Sequence, residues 1–188
     1  FRREKIPYRI YGTVRFYDRA EVKDILSYLR IIVNPRDDVS FLRALNTPSR
    51  GLGDSAEEAI MKASRERELS HLEAAKQLAS EGVPRLSTKL KEFVALLENL
   101  KETVLKLPLA DIIETVADTI GYFPYLHKKF PDQASDKEDN VMELASALGS
   151  FETEMTNATV SDWLQSVTLA SDVDGDVNGV TMMTLHMA

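Results

Sequence analysis

The sequence contains no cysteine, one tryptophan and only three histidines. Without cysteine the chain can form no disulfide, no cysteine-ligated zinc site and no thiol nucleophile. The histidines, His71, His127 and His186, are far apart and match no metal-ligand spacing such as HExxH. We therefore expect neither a metal site nor a thiol-based catalytic site in this chain.

Long apolar runs and nucleotide-binding motifs are also missing. No apolar run approaches the ~18 residues that a membrane-spanning helix needs, and no signal-peptide core is present. The sequence has no GxxxxGK[ST] phosphate-binding loop and no nucleophile elbow. We expect a cytoplasmic protein with no membrane partner, no cofactor bound by this chain and no catalytic residues of its own.

Charge is distributed unevenly along the chain. Residues 1–50 hold 11 of the 23 Lys and Arg residues and 6 of the 30 Asp and Glu residues, a net charge of +5. Residues 51–188 hold the others, a net charge of −12. Nine of the 11 early cations are arginine, whose planar fork suits bidentate phosphate contacts. This asymmetry indicates nucleic-acid contact near the start of the chain, although solvated or structural arginines would give the same pattern.

Hydrophobic spacing predicts a mainly α fold with one short β-strand near each terminus. Residues 6–16 are rich in β-formers and predict a bent strand, and residues 179–186 predict a second, buried strand. Asp18 is the predicted cap of the first helix, with Glu21 completing a capping box. Apolar residues recur at helical spacing in nine segments, approximately residues 18–32, 38–45, 54–66, 70–79, 87–105, 109–119, 122–129, 137–154 and 161–170.

Both ends of the chain have the pattern of interrupted elements. No initiator methionine is present, and the predicted final strand stops two residues before the end. We interpret the chain as a helical insertion subdomain cut from a larger host domain. Its expected parts are an entry strand over residues 1–16, the helical subdomain over 17–170, and an acidic loop with a returning strand over 171–188.

The segment from Ser49 to Ala56 is the most specific local signal. Two glycines, Gly51 and Gly53, flank one apolar residue, which permits a close approach by another backbone. The helix that follows presents unpaired N–H groups at its start, and Arg50 adds a positive charge. Helix-hairpin-helix units bind a DNA phosphate in this way, and such contacts carry little sequence information. The alternative is an ordinary tight turn between two helices.

The acidic segment from Asp172 to Gly179 resembles only the start of a calcium-binding loop. Its glycine, Gly175, falls at position 4 instead of 6, and position 12 is Met183 instead of glutamate. We therefore predict an acidic loop without a metal.

Three stretches, in order along the chain, resemble one family. The first comprises residues 6–12 (IPYRIYG), 16–24 (FYDRAEVKD) and 28–30 (YLR). The second is residues 46–53 (NTPSRGLG), and the third is residues 182–188 (MMTLHMA). Together they are similar to the 2B subdomain of UvrD/PcrA/Rep-type superfamily 1 DNA helicases and the opening of motif V. Gly12-Thr13 stands where the family usually has Gly-Gly, and Leu52 replaces an isoleucine.

The resemblance implies that the helical body is an insertion in the second RecA-like domain of a helicase. By position, it implies that the turn contacts duplex DNA ahead of the fork through Thr47, Arg50, Gly51, Leu52 and Gly53. It also implies that Thr184 and His186 belong to the motif that faces single-stranded DNA.

The resemblance further implies a parent protein that hydrolyses ATP with Mg²⁺ and translocates 3′ to 5′. The expected partners are duplex DNA with a single-strand junction, the rest of the helicase motor and DNA-repair proteins. The alternative function is a protein-interaction or autoinhibitory module without direct DNA contact, which the acidic remainder of the chain favours.

Overall fold

The computed structural model describes residues 8–10, 13–83, 85–172 and 180–182. Within these ranges the helices are α1 (Thr13–Asp18), α2 (Ala20–Val33), α3 (Asp38–Asn46), α4 (Asp54–Arg67), α5 (His71–Ser80), α6 (Leu86–Val104), α7 (Leu109–Ile120), α8 (Tyr122–Lys129), α9 (Ala134–Glu154) and α10 (Val160–Asp172). Two three-residue segments, β1 (Tyr8–Ile10) and β2 (Val180–Met182), pair in parallel with Tyr8 opposite Val180. The prediction of a mainly helical chain is confirmed.

Helix α2 is the central element of the fold. Ten of its fourteen residues are buried, which is unusual for a helix with one apolar stripe and indicates packing on several sides. It contacts α3, α6, α7 and α9, and it also packs against α1 and α10. Its buried apolar residues include Ile25, Tyr28 and Leu29, all with no exposed surface.

Two groups of helices pack around α2. In the first, α3 contacts α2 and α5, α5 contacts α4 and α6, and α6 contacts α2; in the second, α7 and α9 contact α2, each other and α8. Phe93 of α6 and Ile112 of α7 are fully buried. The connection from α3 to α4 is contacted by side chains of α2 and α6.

Several helix ends show standard capping chemistry. Gly121 ends α7 in the left-handed region, with φ of 69°, a conformation that glycine adopts readily at helix C-termini. Ser70 and Glu73 form a reciprocal capping box at the start of α5. At α3 the cap is Asp37, whose carboxylate accepts from the Ser40 amide at 2.9 Å.

The predicted entry strand is wrong over residues 13–16, because α1 begins at Thr13. Asp18 is also not the cap of α2: it ends α1, and its carboxylate pairs with Lys23 at 2.6 Å. Glu21 is buried instead of forming a capping box. The division into three parts stays a prediction, and both of its boundaries fall inside helices, α1 and α10.

Candidate nucleic-acid interface

The turn between α3 and α4 lies on the protein surface. Gly51 and Gly53 are both exposed, whereas Leu52 between them is only 2% exposed and packs into the core. Burial of the single apolar side chain anchors the turn, so the two glycines are presented to solvent. The surface thus carries two positions without side chains, where another backbone can approach closely.

The start of α4 offers free backbone donors beside this turn. Gly53 is the N-cap, and its carbonyl accepts from the amides of Ala56 at 2.9 Å and Glu57 at 3.2 Å. The amides of Asp54 and Ser55 have no acceptor within the described part of the chain, and both residues are exposed. Unpaired amides at a helix N-terminus favour an anion.

The structure places Arg50 differently from the sequence prediction. Its guanidinium points inward and donates to the carbonyls of Pro48 at 2.8 Å and Ala44 at 3.2 Å. It also lies over the rings of Tyr28 and Phe93, at 5.7 and 5.3 Å from their centres. The predicted positive fork at the surface is therefore a support beneath the turn, since one terminal nitrogen donates to both carbonyls and the other is buried without a hydrogen-bond partner among the described residues.

Tyr28 of α2 holds the same backbone from the core side. Its hydroxyl lies within hydrogen-bond distance of two carbonyl oxygens, 2.6 Å from Thr47 and 3.0 Å from Ala44. Burial raises the pKa of Tyr28 well above that of an exposed tyrosine, despite the opposing effect of the Arg50 charge. The hydroxyl consequently stays protonated and acts as a donor to the turn.

Lys89 of α6 contacts the turn, although no feature of the sequence predicted this contact. Its ammonium donates to the Gly51 carbonyl at 3.0 Å, although 38 residues separate the two. Gly51 has φ of +68°, and a Cβ at this position would overlap the Lys89 ammonium. The cation at this surface thus comes from a distant helix, which no local pattern could reveal.

Carboxylates limit the positive surface on the α4 side. Asp54 and Glu57 lie in the first turn of α4, and Glu57 accepts from the Asn46 amide at 3.0 Å. Glu58 beside them is exposed. The surface that suits an anion is therefore small, and it comprises the Gly51–Ser55 backbone and the Lys89 ammonium.

The remaining predicted site residues fall into two groups. Thr47 begins the turn and is half-buried, whereas Thr184 and His186 lie outside the described residues. Among the described residues no cluster of histidine and carboxylate side chains could hold a metal ion. None of the described helices has both the length and the apolar character needed to cross a membrane.

Sequence comparison identifies relatives that match almost all of this chain. The family described as UvrD-like helicase C-terminal domain matches residues 1–188. The chain is 34% identical to the ATP-dependent DNA helicase UvrD1 of Mycobacterium tuberculosis over 99% of its length. It is 33% identical to the ATP-dependent DNA helicase PcrA of Bacillus subtilis over 96% of its length, and 31% identical to PcrA of Staphylococcus aureus over all of it.

The matched region is a part of each relative. The chain spans 27% of the M. tuberculosis protein and 26% of the B. subtilis and S. aureus proteins. The relatives are UvrD- and PcrA-type helicases by name, in agreement with the resemblance found in the three sequence stretches. The chain belongs to the UvrD-like helicase C-terminal domain family.

Proposed function

We propose that this chain is the accessory, duplex-contacting 2B subdomain of a 3′-to-5′ ATP-dependent DNA helicase. The observation that carries the proposal is the exposed Gly51-Leu52-Gly53 turn, with free amides at the start of α4 and the Lys89 ammonium beside it. These groups suit a phosphate of the DNA backbone and read no base. The names of the matched relatives support the helicase context.

The contact that we propose is made by the backbone. A phosphate approaches over Gly53, where no side chain blocks it, and accepts from the Asp54 and Ser55 amides. Lys89 supplies the charge, while Arg50 and Leu52 hold the turn from beneath. Thr47 lies at the edge of the same contact.

The parallel pairing of β1 with β2 supports an insertion between two strands of a host domain. In the parent protein that domain would belong to the motor, which would bind ATP and Mg²⁺ with residues outside this chain. Single-stranded DNA would contact the motif that includes Thr184 and His186. Repair proteins and a cytoplasmic location are part of the same proposal.

Gly53→Val tests the contact with little risk to the fold. Gly53 has an ordinary extended backbone, with φ of −83° and ψ of −162°, and an added Cβ would meet no atom within 4 Å. We expect the variant to unfold like the wild-type chain but to bind a labelled duplex with a 3′ single-stranded tail at least ten-fold more weakly at low salt, as measured by fluorescence anisotropy.

The control for this experiment is Ala95→Val, which adds similar apolar bulk to an exposed position of α6. It should bind the duplex like the wild-type chain, and wild-type binding should weaken as salt increases. If Gly53→Val binds as tightly as the control, the turn is not the contact.

A cleft between α2 and α10 favours the second candidate function, an autoinhibitory or partner-docking module. Its volume is about 560 Å³, and Val33 and Leu169 beside it are 41% and 67% exposed. For this candidate, deletion of residues 17–170 from the full-length parent should change either its unwinding rate or its binding to repair proteins. Unchanged values for both would reject it.

A further inference from the structure

A polar cleft lies beside Thr47, the residue that begins the glycine turn. It has a volume of about 200 Å³ and forms where α2, α3, α8 and α9 meet. Its polar lining comprises two carboxylates, three cations, two tyrosines and a threonine, namely Glu21, Asp24, Arg43, Thr47, Tyr122, Tyr125, Lys129 and Lys137. None of the residues proposed for the phosphate contact lines it except Thr47.

Both carboxylates of the cleft are paired, and each of their oxygens accepts a hydrogen bond. Glu21 accepts from the Asn140 amide at 2.6 Å and from the Lys137 ammonium at 2.7 Å. Asp24 accepts from the Arg43 Nε at 2.7 Å and from the Tyr122 hydroxyl at 2.6 Å. Since both carboxylates are less than 10% exposed, they neutralise Lys137 and Arg43 without presenting negative charge to the opening.

Lys129, the third cation of the cleft, has no carboxylate partner among the described residues. Its ammonium lies 2.8 Å from the Tyr125 hydroxyl and about 5 Å from the centres of the Tyr125 and Phe130 rings. No carboxylate of the described chain lies within ion-pair distance of it. The two rings fix the ammonium at the mouth of the cleft while it stays exposed.

The remaining donors of the cleft face the same space. The Thr47 hydroxyl has no hydrogen-bond partner among the described residues. Arg43 uses its Nε and one terminal nitrogen for Asp24 and the Ala20 carbonyl, at 2.7 and 3.1 Å, which leaves its other terminal nitrogen free. With three cations and two carboxylates, the lining has a formal charge of +1.

We propose that this cleft binds a phosphate group, held by the Lys129 ammonium and the Thr47 hydroxyl. Its source is the DNA backbone that contacts the glycine turn, because Thr47 borders both surfaces and a sugar-phosphate chain carries anions at regular spacing. The choice of source rests on the proposed function, whereas the phosphate chemistry of the cleft does not. The turn and the cleft form one anion-binding track, with Lys89 at one end and Lys129 at the other.

The test compares Lys129→Gln with Lys128→Gln in this chain. Lys128 is the neighbouring residue, is also exposed, and does not line the cleft. For duplex DNA we expect Lys129→Gln to raise the Kd roughly three- to ten-fold at low salt and to make the slope of log Kobs against log salt less negative by about 0.9, the value of one phosphate contact. Lys128→Gln should change the slope by less than half as much, and Lys129→Arg should restore most of the binding.

A titration with inorganic phosphate tests whether the cleft also binds free phosphate, apart from the phosphates of the DNA backbone. Two-dimensional NMR of the wild-type chain should show amide shifts near Thr47 and Lys129 that are absent in Lys129→Gln. If the chain binds duplex and the two glutamine variants behave alike, the cleft proposal is overturned and the proposed function stands. If the chain binds no duplex, the proposed function fails; Lys129-dependent phosphate shifts would then keep the cleft as a free-phosphate site, and their absence would overturn it.

Discussion

The guanidinium carbon of Arg50 lies 5.3 Å from the centre of the Phe93 ring, so that the α3–α4 turn is joined to the middle of α6. Phe93 is fully buried, and Tyr28 of α2 lies on the same guanidinium at 5.7 Å. One arginine thus connects the turn with two core helices. Arg50 therefore stabilises the candidate interface and maintains its shape.

We expect Arg50→Ala to lower the free energy of unfolding by about 1–3 kcal/mol, because it removes two aromatic contacts and the hydrogen bonds to the carbonyls of Ala44 in α3 and Pro48 in the turn. Urea denaturation measures the change. Arg65→Ala, at an exposed position of α4, should have an effect below about 0.5 kcal/mol. Equal effects of the two variants would contradict a supporting role for Arg50.

The two glycines of the turn should respond differently to substitution. Gly51→Ala places a side chain in the left-handed region and against the Lys89 ammonium, so we expect a loss of about 1 kcal/mol in the free energy of unfolding. Gly53→Ala meets no such strain and should change stability by less than about 0.5 kcal/mol. Thermal or urea unfolding distinguishes them, and a greater cost at Gly53 would refute this account of the turn.

Tyr122→Phe should be more destabilising than Tyr125→Phe. The Tyr122 hydroxyl donates to the buried Asp24 carboxylate at 2.6 Å, and its removal leaves that oxygen without a donor at a cost of about 1–3 kcal/mol. The Tyr125 hydroxyl bonds only the exposed Lys129 ammonium, so its loss should cost less. Chemical denaturation of both variants gives the comparison, and similar costs would argue against a structural role for the Asp24 contact.

The Glu21–Lys137 pair predicts a loss of stability in acid. Burial raises the pKa of Glu21, but hydrogen bonds from Lys137, from its own backbone amide and from Asn140, together with the Lys137 charge, outweigh that effect, so the net pKa lies below its usual value. A lowered folded-state pKa stabilises the fold above the unfolded pKa of about 4.3, and that stabilisation is lost as pH falls through the folded value.

The measurement is urea denaturation of the wild-type chain and Lys137→Met at pH 7 and pH 3. We expect the free energies of unfolding of the wild-type chain and Lys137→Met to differ more at pH 7 than at pH 3. At pH 7 Glu21 is charged, and the variant lacks the Lys137 ammonium that pairs with it. Ser146→Ala, at an exposed position of α9, serves as the control. If the difference in the free energy of unfolding does not depend on pH, the Glu21–Lys137 ion pair does not cause the loss of stability in acid.

Helix type and helix ends were largely predictable, because they depend on residues close in sequence. The predicted segments 109–119 and 70–79 agree with α7 and α5 to within one residue at each end. The prediction failed at residues 13–16, where β-forming side chains lie in a helix. Intrinsic β-propensity is weak and is readily overridden by tertiary context.

The candidate interface was only half predictable. The glycine turn was visible as a local motif, and the structure places it at the surface. The direction of the Arg50 side chain was not predictable, because it depends on Tyr28 and Phe93, which belong to two other helices. No local sequence pattern marked Lys89 or Lys129, because the role of each depends on its contacts in the folded chain. These contacts are the Gly51 carbonyl for Lys89 and the Tyr125 and Phe130 rings for Lys129.

The sequence by itself therefore determined the helical class of the chain, the position of the Gly51-Leu52-Gly53 turn and the family to which the chain belongs. The first two depend on local spacing and composition, and the third on the sequence stretches that resemble the family. Only the tertiary structure decided which cations face solvent at the turn and which are bound to internal carbonyls, rings or carboxylates. The physical reason is that a charge acts through space, and the packing around α2 brings together side chains that lie tens of residues apart in the chain.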